Sequence, residues 1–241
     1  MTQFRPEPIA YLTGTLSDDL LPPGVSDARE GRKFLPDGTL HLWPGNTMIC
    51  HIDPDSDAHA ALVDIQTELA AGPHAGAFTF LPPSSLHMTV FQGISGPSAH
   101  LFDWPEGVDT ATPRDEVSRI LLDRLEAVDL PDSRRIRALN VFAGHSMTVD
   151  GVGPDETGLR ETRTRLRKAT GLTSRGFDTY TFHITLAYLL RWLTEDEARD
   201  VCALSDDVFA RQGDRLQDIR LGRVEFCNFE HMHHFEPLRL L

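Results

Sequence analysis

The chain has 241 residues, 40% of them hydrophobic and 24% charged, which is ordinary globular composition with room for one large domain or two closely packed lobes. A formal net charge of -13 opposes long duplex nucleic acid, whose affinity comes mainly from excess Lys and Arg, and leaves small ligands and short RNA ends open. No apolar run approaches the length of a bilayer span, so no membrane partner is expected.

The start of the chain lacks the basic-then-apolar layout of a secretory signal, which makes the cytoplasm the expected compartment. Cys50, Cys202 and Cys227 are odd in number and form no CxxC pair; reduced core thiols are expected.

Residues 1–38 are rich in Pro, Gly and Asp and show little periodicity, so they read as an extension wrapped on a domain. Residues 39–241 are expected to form that domain. Two short strands should flank a Pro-Gly-Asn turn in TLHLWPGNTMICHI, followed by a helix through Leu62, Ile65 and Leu69 that ends at Gly72. AFTFL and LHMTVF are two further strands. A polar loop with Trp104 then leads to a helix capped by Thr112, with Pro113 at its first position.

The second half repeats the theme, with a strand around 136–148, a helix from about 155 to 170 and the strand TFHITLAYLL. Thr194 and Glu197 stand in capping-box positions ahead of another helix, and two strands near 219–228 and 232–240 close the chain. Each half holds a helix beside strands and one histidine-bearing strand. An α+β protein with mostly antiparallel sheets follows.

Those two strands carry the chemistry. Leu86-His87-Met88-Thr89-Val90 and Phe182-His183-Ile184-Thr185-Leu186 share one pattern: apolar, His, apolar, Thr, apolar. Side chains alternate along a strand, so each buries an apolar face and offers an imidazole and a hydroxyl to the other. By chance one such pentapeptide arises in roughly one chain in fifteen and two in roughly one in several hundred, so the pair is informative where either alone is not. Phosphodiester hydrolysis needs a base to activate water and an acid to protonate the departing alkoxide, and imidazole suits both tasks near neutral pH. Neighbouring hydroxyls can hydrogen-bond the non-bridging oxygens as charge develops. No metal or cofactor is required.

The paired motif resembles the 2H phosphoesterase superfamily, which includes RNA 2',3'-cyclic phosphodiesterases and 2'-5' RNA ligase-like proteins. The text from GRKFLPDGTLHLWPGNTMICHI through YTFHITLAYLL also looks like a bacterial branch of it without a settled substrate. The resemblance implies a bilobal, pseudo-twofold α+β fold with helices outside, a central cleft and one motif per lobe. It implies that His87 and His183 are the acid/base pair, with His87 leaning to base and His183 to acid, and that Thr89 and Thr185 bind phosphate.

Four other residues are candidates for substrate binding. Phe91 shares the His87 face by strict alternation and could stack on a base, while Trp104 lies in the loop after the first motif and could close over a ligand. Arg175 and Tyr180 precede the second motif, although Tyr180 has the parity that points away from His183. The Arg134/Arg135/Arg137 and Arg160/Arg163/Arg167 groups read as solvated faces.

His231–His234 (HMHH) is the rival metal-binding stretch, read here as a polar strand end because no HExxH or similar motif accompanies it. The run from Asp53 reads as helix capping rather than a calcium loop, because Ala58 replaces the needed glycine. The residues thus point to a metal-independent phosphodiesterase acting on a small phosphodiester, a nucleotide or a short RNA end. The alternative is a nucleotide- or RNA-end-binding module without turnover.

Overall fold

The computed structural model describes residues 5–27, 31–96, 104–174 and 176–241. In chain order the elements are α1 (Pro8–Leu12), β1 (Gly45–His51), α2 (Asp57–Ala70), β2 (Phe78–Phe80), β3 (His87–Ser95), α3 (Arg114–Arg124), β4 (Arg134–Phe142) and β5 (Ser146–Gly151). They continue with α4 (Asp155–Thr170), β6 (His183–Thr185), β7 (Ala187–Leu189), α5 (Glu195–Gln212), β8 (Ile219–Leu221), β9 (Glu225–His231) and β10 (His234–Leu240).

Eight strands form one antiparallel sheet in the order β10-β9-β1-β3-β6-β5-β4-β8, and β2 pairs with β7 in a small second sheet. Four strands fall on either side of the β3–β6 contact, and those two are the histidine strands. The expected pseudo-twofold α+β architecture is therefore present, with the halves joined through one continuous sheet. Helices cover one face: α4 packs on β3, β4 and β5, while α5 packs on β4 and α2. Among the described residues no helix is long and apolar enough to cross a membrane.

α2 and α5 form where pattern and caps agree, whereas α3 starts at Arg114 with Pro113 at its N-cap and no side-chain cap, so Thr112 does not cap it as expected. In α2 the Ser56 hydroxyl accepts from the His59 amide at 3.1 Å, and Ala58, Ala61, Leu62, Ile65 and Leu69 line the buried stripe. Thr194 and Glu197 complete a reciprocal capping box on α5. Gly171 ends α4 in the left-handed region, where a side chain would be strained.

Four strand expectations need correction. The run 219–228 divides into β8 and the start of β9, which lie in opposite halves of the sheet. Residues 39–43 form no strand, Leu40 making an isolated bridge with Phe34, and Pro44, which has no amide hydrogen, precedes β1. Gly45 belongs to the ladder, where a Cβ would lie 2.4 Å from the Ile94 carbonyl oxygen. The run 136–148 is the β4–β5 hairpin. Its turn places Ala143 and Gly144 at φ 51° and 68°, a left-handed pair without the Asn or Asp that usually announces it. The long strand ending in AYLL changes sheets at Leu186, where the amides of Leu186 and Ala187 both donate to the His145 carbonyl at 2.8 and 3.0 Å.

Candidate active site

β3 and β6 pair antiparallel through Met88 and Ile184. Continuing that register one residue either way sets His87 across from Thr185 and Thr89 across from His183. Met88 and Ile184 are fully buried on the helix side, so the four polar side chains face the other way and line a cleft of about 330 Å³. Two motifs 96 residues apart become one quartet because the strands that carry them are neighbours.

The imidazoles are held alike. His87 Nδ1 lies 2.7 Å from the Ser85 carbonyl oxygen and His183 Nδ1 lies 2.9 Å from that of Thr181, each two residues upstream. A carbonyl only accepts, so Nδ1 carries the hydrogen and Nε2 is left as the basic nitrogen. Burial pushes both histidines down to about 4, with the nearby Lys33 charge acting in the same direction. With values that low both rings are neutral at pH 7. The Phe235 ring stands edge-on to His87, with centroids 4.3 Å apart.

A β-bulge explains why Phe91 misses the cleft. Thr89 pairs with Ile49 and Phe91 with Met48, so Val90 is an extra residue and alternation resets after it. Phe91 is fully buried on the helix side and Gln92 lines the cleft in its place. The carbonyls flanking the bulge are taken by side chains: Tyr180 Oη donates to Thr89 O at 3.2 Å, and Arg163 Nη1 donates to Val90 O at 2.6 Å.

Tyr180 therefore supports the first motif from behind and does not line the cleft. Arg163 is not solvated but 1% exposed, its guanidinium carbon 3.8 Å from the Tyr180 ring centroid and 5.0 Å from that of Phe177. Trp104 Nε1 donates within its own loop, to the carbonyls of Val108 and Asp109 at 3.1 and 3.2 Å, and the ring packs against the main core away from the cleft. Arg175 lies outside the described residues.

Several cleft residues had no motif to announce them. Lys33, from the N-terminal stretch, donates to Tyr188 Oη at 3.0 Å across the opening, and Arg32 also lines the cleft. Beyond the Lys33–Tyr188 contact a second cavity of about 210 Å³ shares His183 and Thr185 and reaches His145 and Tyr11. Trp43, Phe229 and Phe235 form apolar wall, and Asn46, Thr47 and Gln92 a polar edge. The protein has 36 acidic residues, yet none of the described residues lining the main cleft is Asp or Glu. The local field favours an anion despite the global charge.

In the terminal histidine stretch, His231 Nδ1 is occupied by the His233 amide at 3.2 Å. Among the described residues, the group whose donor atoms could hold a metal is instead His51, Glu225 and Cys227.

The two-half antiparallel sheet with the twofold quartet at its centre is the arrangement that the resemblance to the 2H phosphoesterases implies. Residues 33–146 match the family model 2H-phosphodiest, described as a domain of unknown function (DUF1868), which bears out the resemblance read from the motifs and supports a phosphoesterase-type activity. That match includes His87 and Thr89 and stops short of the second motif. A crystal structure of a conserved protein of unknown function from Agrobacterium tumefaciens strain C58 superposes with a TM-score of 0.87 at 29% identity, over 96% of this chain and 97% of that one. A protein of Thermus thermophilus aligns over 80% of this chain and 94% of its own at 17% identity, but its TM-score of 0.38 carries no argument. No curated protein matches the chain.

Proposed function

We propose that the protein is a phosphodiesterase that hydrolyses a cyclic phosphate or another small phosphodiester, such as a nucleoside 2',3'-cyclic phosphate or a 2'-5' linked RNA end, by two-histidine general acid/base catalysis without a metal at the reacting phosphorus. The observation that carries this reading is the quartet, with each imidazole fixed by a carbonyl at Nδ1 and lined up beside the other motif's threonine. One Nε2 takes a proton from water as its oxygen attacks phosphorus. The other, protonated, gives its proton to the alkoxide as the P–O bond breaks, so an alcohol leaves and a phosphomonoester remains. The Thr89 and Thr185 hydroxyls and the Lys33 ammonium meet the non-bridging oxygens, whose charge also raises the neighbouring imidazoles and so keeps one of them protonated as the acid.

The test is turnover of a panel of nucleoside 2',3'-cyclic phosphates by wild type, His87→Ala and His183→Ala with EDTA present and folding checked by circular dichroism. Wild type should turn over, and each variant should lose roughly 10²- to 10⁴-fold. Activity surviving in the folded double variant, or abolished by EDTA in folded wild type, overturns the mechanism. Binding by calorimetry with no turnover of any diester gives the binding-module reading instead.

A further inference from the structure

Beside the quartet, β1 and β9 bring together three donor groups that the proposed hydrolysis does not use. The strands pair antiparallel with Thr47 opposite Cys227 and Ile49 opposite Glu225. Glu225 and Cys227, two residues apart, share one face of β9, and His51 lies two residues beyond Ile49 on β1. His51 Nδ1 is 2.8 Å from Glu225 Oε2, Cys227 Sγ is 4.0 Å from the same oxygen, and the three donor atoms all lie within 4.8 Å of one another.

We propose that His51, Glu225 and Cys227 form a binding site for a borderline-soft divalent cation, zinc being the ion that the donor set fits. One imidazole nitrogen, one carboxylate oxygen and one thiol sulfur are zinc ligands, whereas calcium and magnesium call for oxygen-rich shells. The donors stand on paired strands, so little ordering remains to be done on binding. The cation replaces the His51–Glu225 hydrogen bond and takes Cys227 as thiolate, the thiol proton passing to water. Two anionic ligands then neutralise a dication, so the filled site carries no net charge in a region where Cys227 is fully buried. Entry is open from the side of His51 and Glu225, whose side chains are 24% and 15% exposed.

The site is distinct from the quartet. His51 pairs with His87 across β1 and β3, with ring centroids 6.1 Å apart, while His87 Nδ1 is committed to Ser85. A bound ion would fasten the end of β1 beside His87 without touching the reacting phosphate. This inference does not rest on the proposed hydrolysis, and its test reads metal binding rather than turnover.

Protein stripped with EDTA and dialysed is titrated with cobalt(II), then with zinc. One equivalent per chain is expected, with a thiolate-to-cobalt charge-transfer band that zinc abolishes. His51→Gln should weaken binding roughly tenfold or more, Cys227→Ser should remove the charge-transfer band, and replacing His231, His233 and His234 together by Ala should leave both unchanged. The charge-transfer band of wild type reports the thiolate even where the buried Cys227→Ser fails to fold. Absence of stoichiometric binding at micromolar metal overturns the site, as does binding without a thiolate band or binding lost only in the terminal-histidine variant.

Discussion

Burial lowers His87 and His183 to about 4, and this has two consequences of definite sign. The first concerns rate. In the free protein the form with one neutral and one protonated imidazole is most populated near pH 4, so kcat/KM for a cyclic phosphate should fall from about pH 5 to 8. The bound phosphate raises the acid, so the optimum of kcat should lie at higher pH than that of kcat/KM. A kcat/KM that is flat across this range contradicts the assignment. The second consequence concerns stability: the unfolded chain binds protons at these histidines near pH 6.5 and the folded one only near 4, so stability is full above pH 6.5 and is lost as pH falls through 4. The slope of melting temperature against pH in this window should flatten in His87→Ala and in His183→Ala.

At the scale of elements, the β3 bulge decides which side chains reach the ligand. Strict alternation made Phe91 a stacking candidate, and one extra residue at Val90 moved it to the core and gave its place to Gln92. The bulge is held by Tyr180 and Arg163, of which the sequence announced neither in that role. Tyr180→Phe leaves the Thr89 carbonyl without its phenol and should cost about 1–3 kcal/mol, read as a lower denaturant midpoint with unchanged m-value. An unchanged midpoint would show that water replaces the hydroxyl. What was legible at this scale was whatever depends on local chemistry: the capping box at Thr194 and Glu197, the limits of α4 and the parity of the two His-x-Thr strings. The hairpin turn at Ala143–Gly144 was not, because its left-handed pair lacks the Asn or Asp that usually announces one, and neither was the sheet change at Leu186, which is set by the distant His145 carbonyl. Lys33 was invisible for the same reason, since only folding brings it to Tyr188.

At the scale of the whole molecule, the N-terminal stretch is part of two cores. Leu12 packs with Phe142 and Val201, while Val25 and Phe34 pack with Trp43, Ile49 and Phe229 along the cleft side of the sheet. Removing residues 1–38 would uncover those side chains and take Lys33 away. The truncated chain should melt lower and bind a hydrophobic dye, and an unchanged melting temperature would show that residues 39–241 form a self-sufficient domain. Either result bears on the reading of 1–38 as an extension.

The antiparallel pairing of Met88 with Ile184 makes the two ends of the quartet chemically equivalent: each presents an imidazole beside the other motif's hydroxyl. The walls are not equivalent, for Phe235 flanks His87 while His183 opens toward the smaller cavity past Lys33 and Tyr188. On the proposed reading, which histidine gives a proton and which takes one is decided by the way round a ligand lies, and that is dictated by the upholstery of the cleft. Changes confined to the walls could reverse the polarity of the reaction, or exchange one diester for another, while the machinery at the centre stayed as it is.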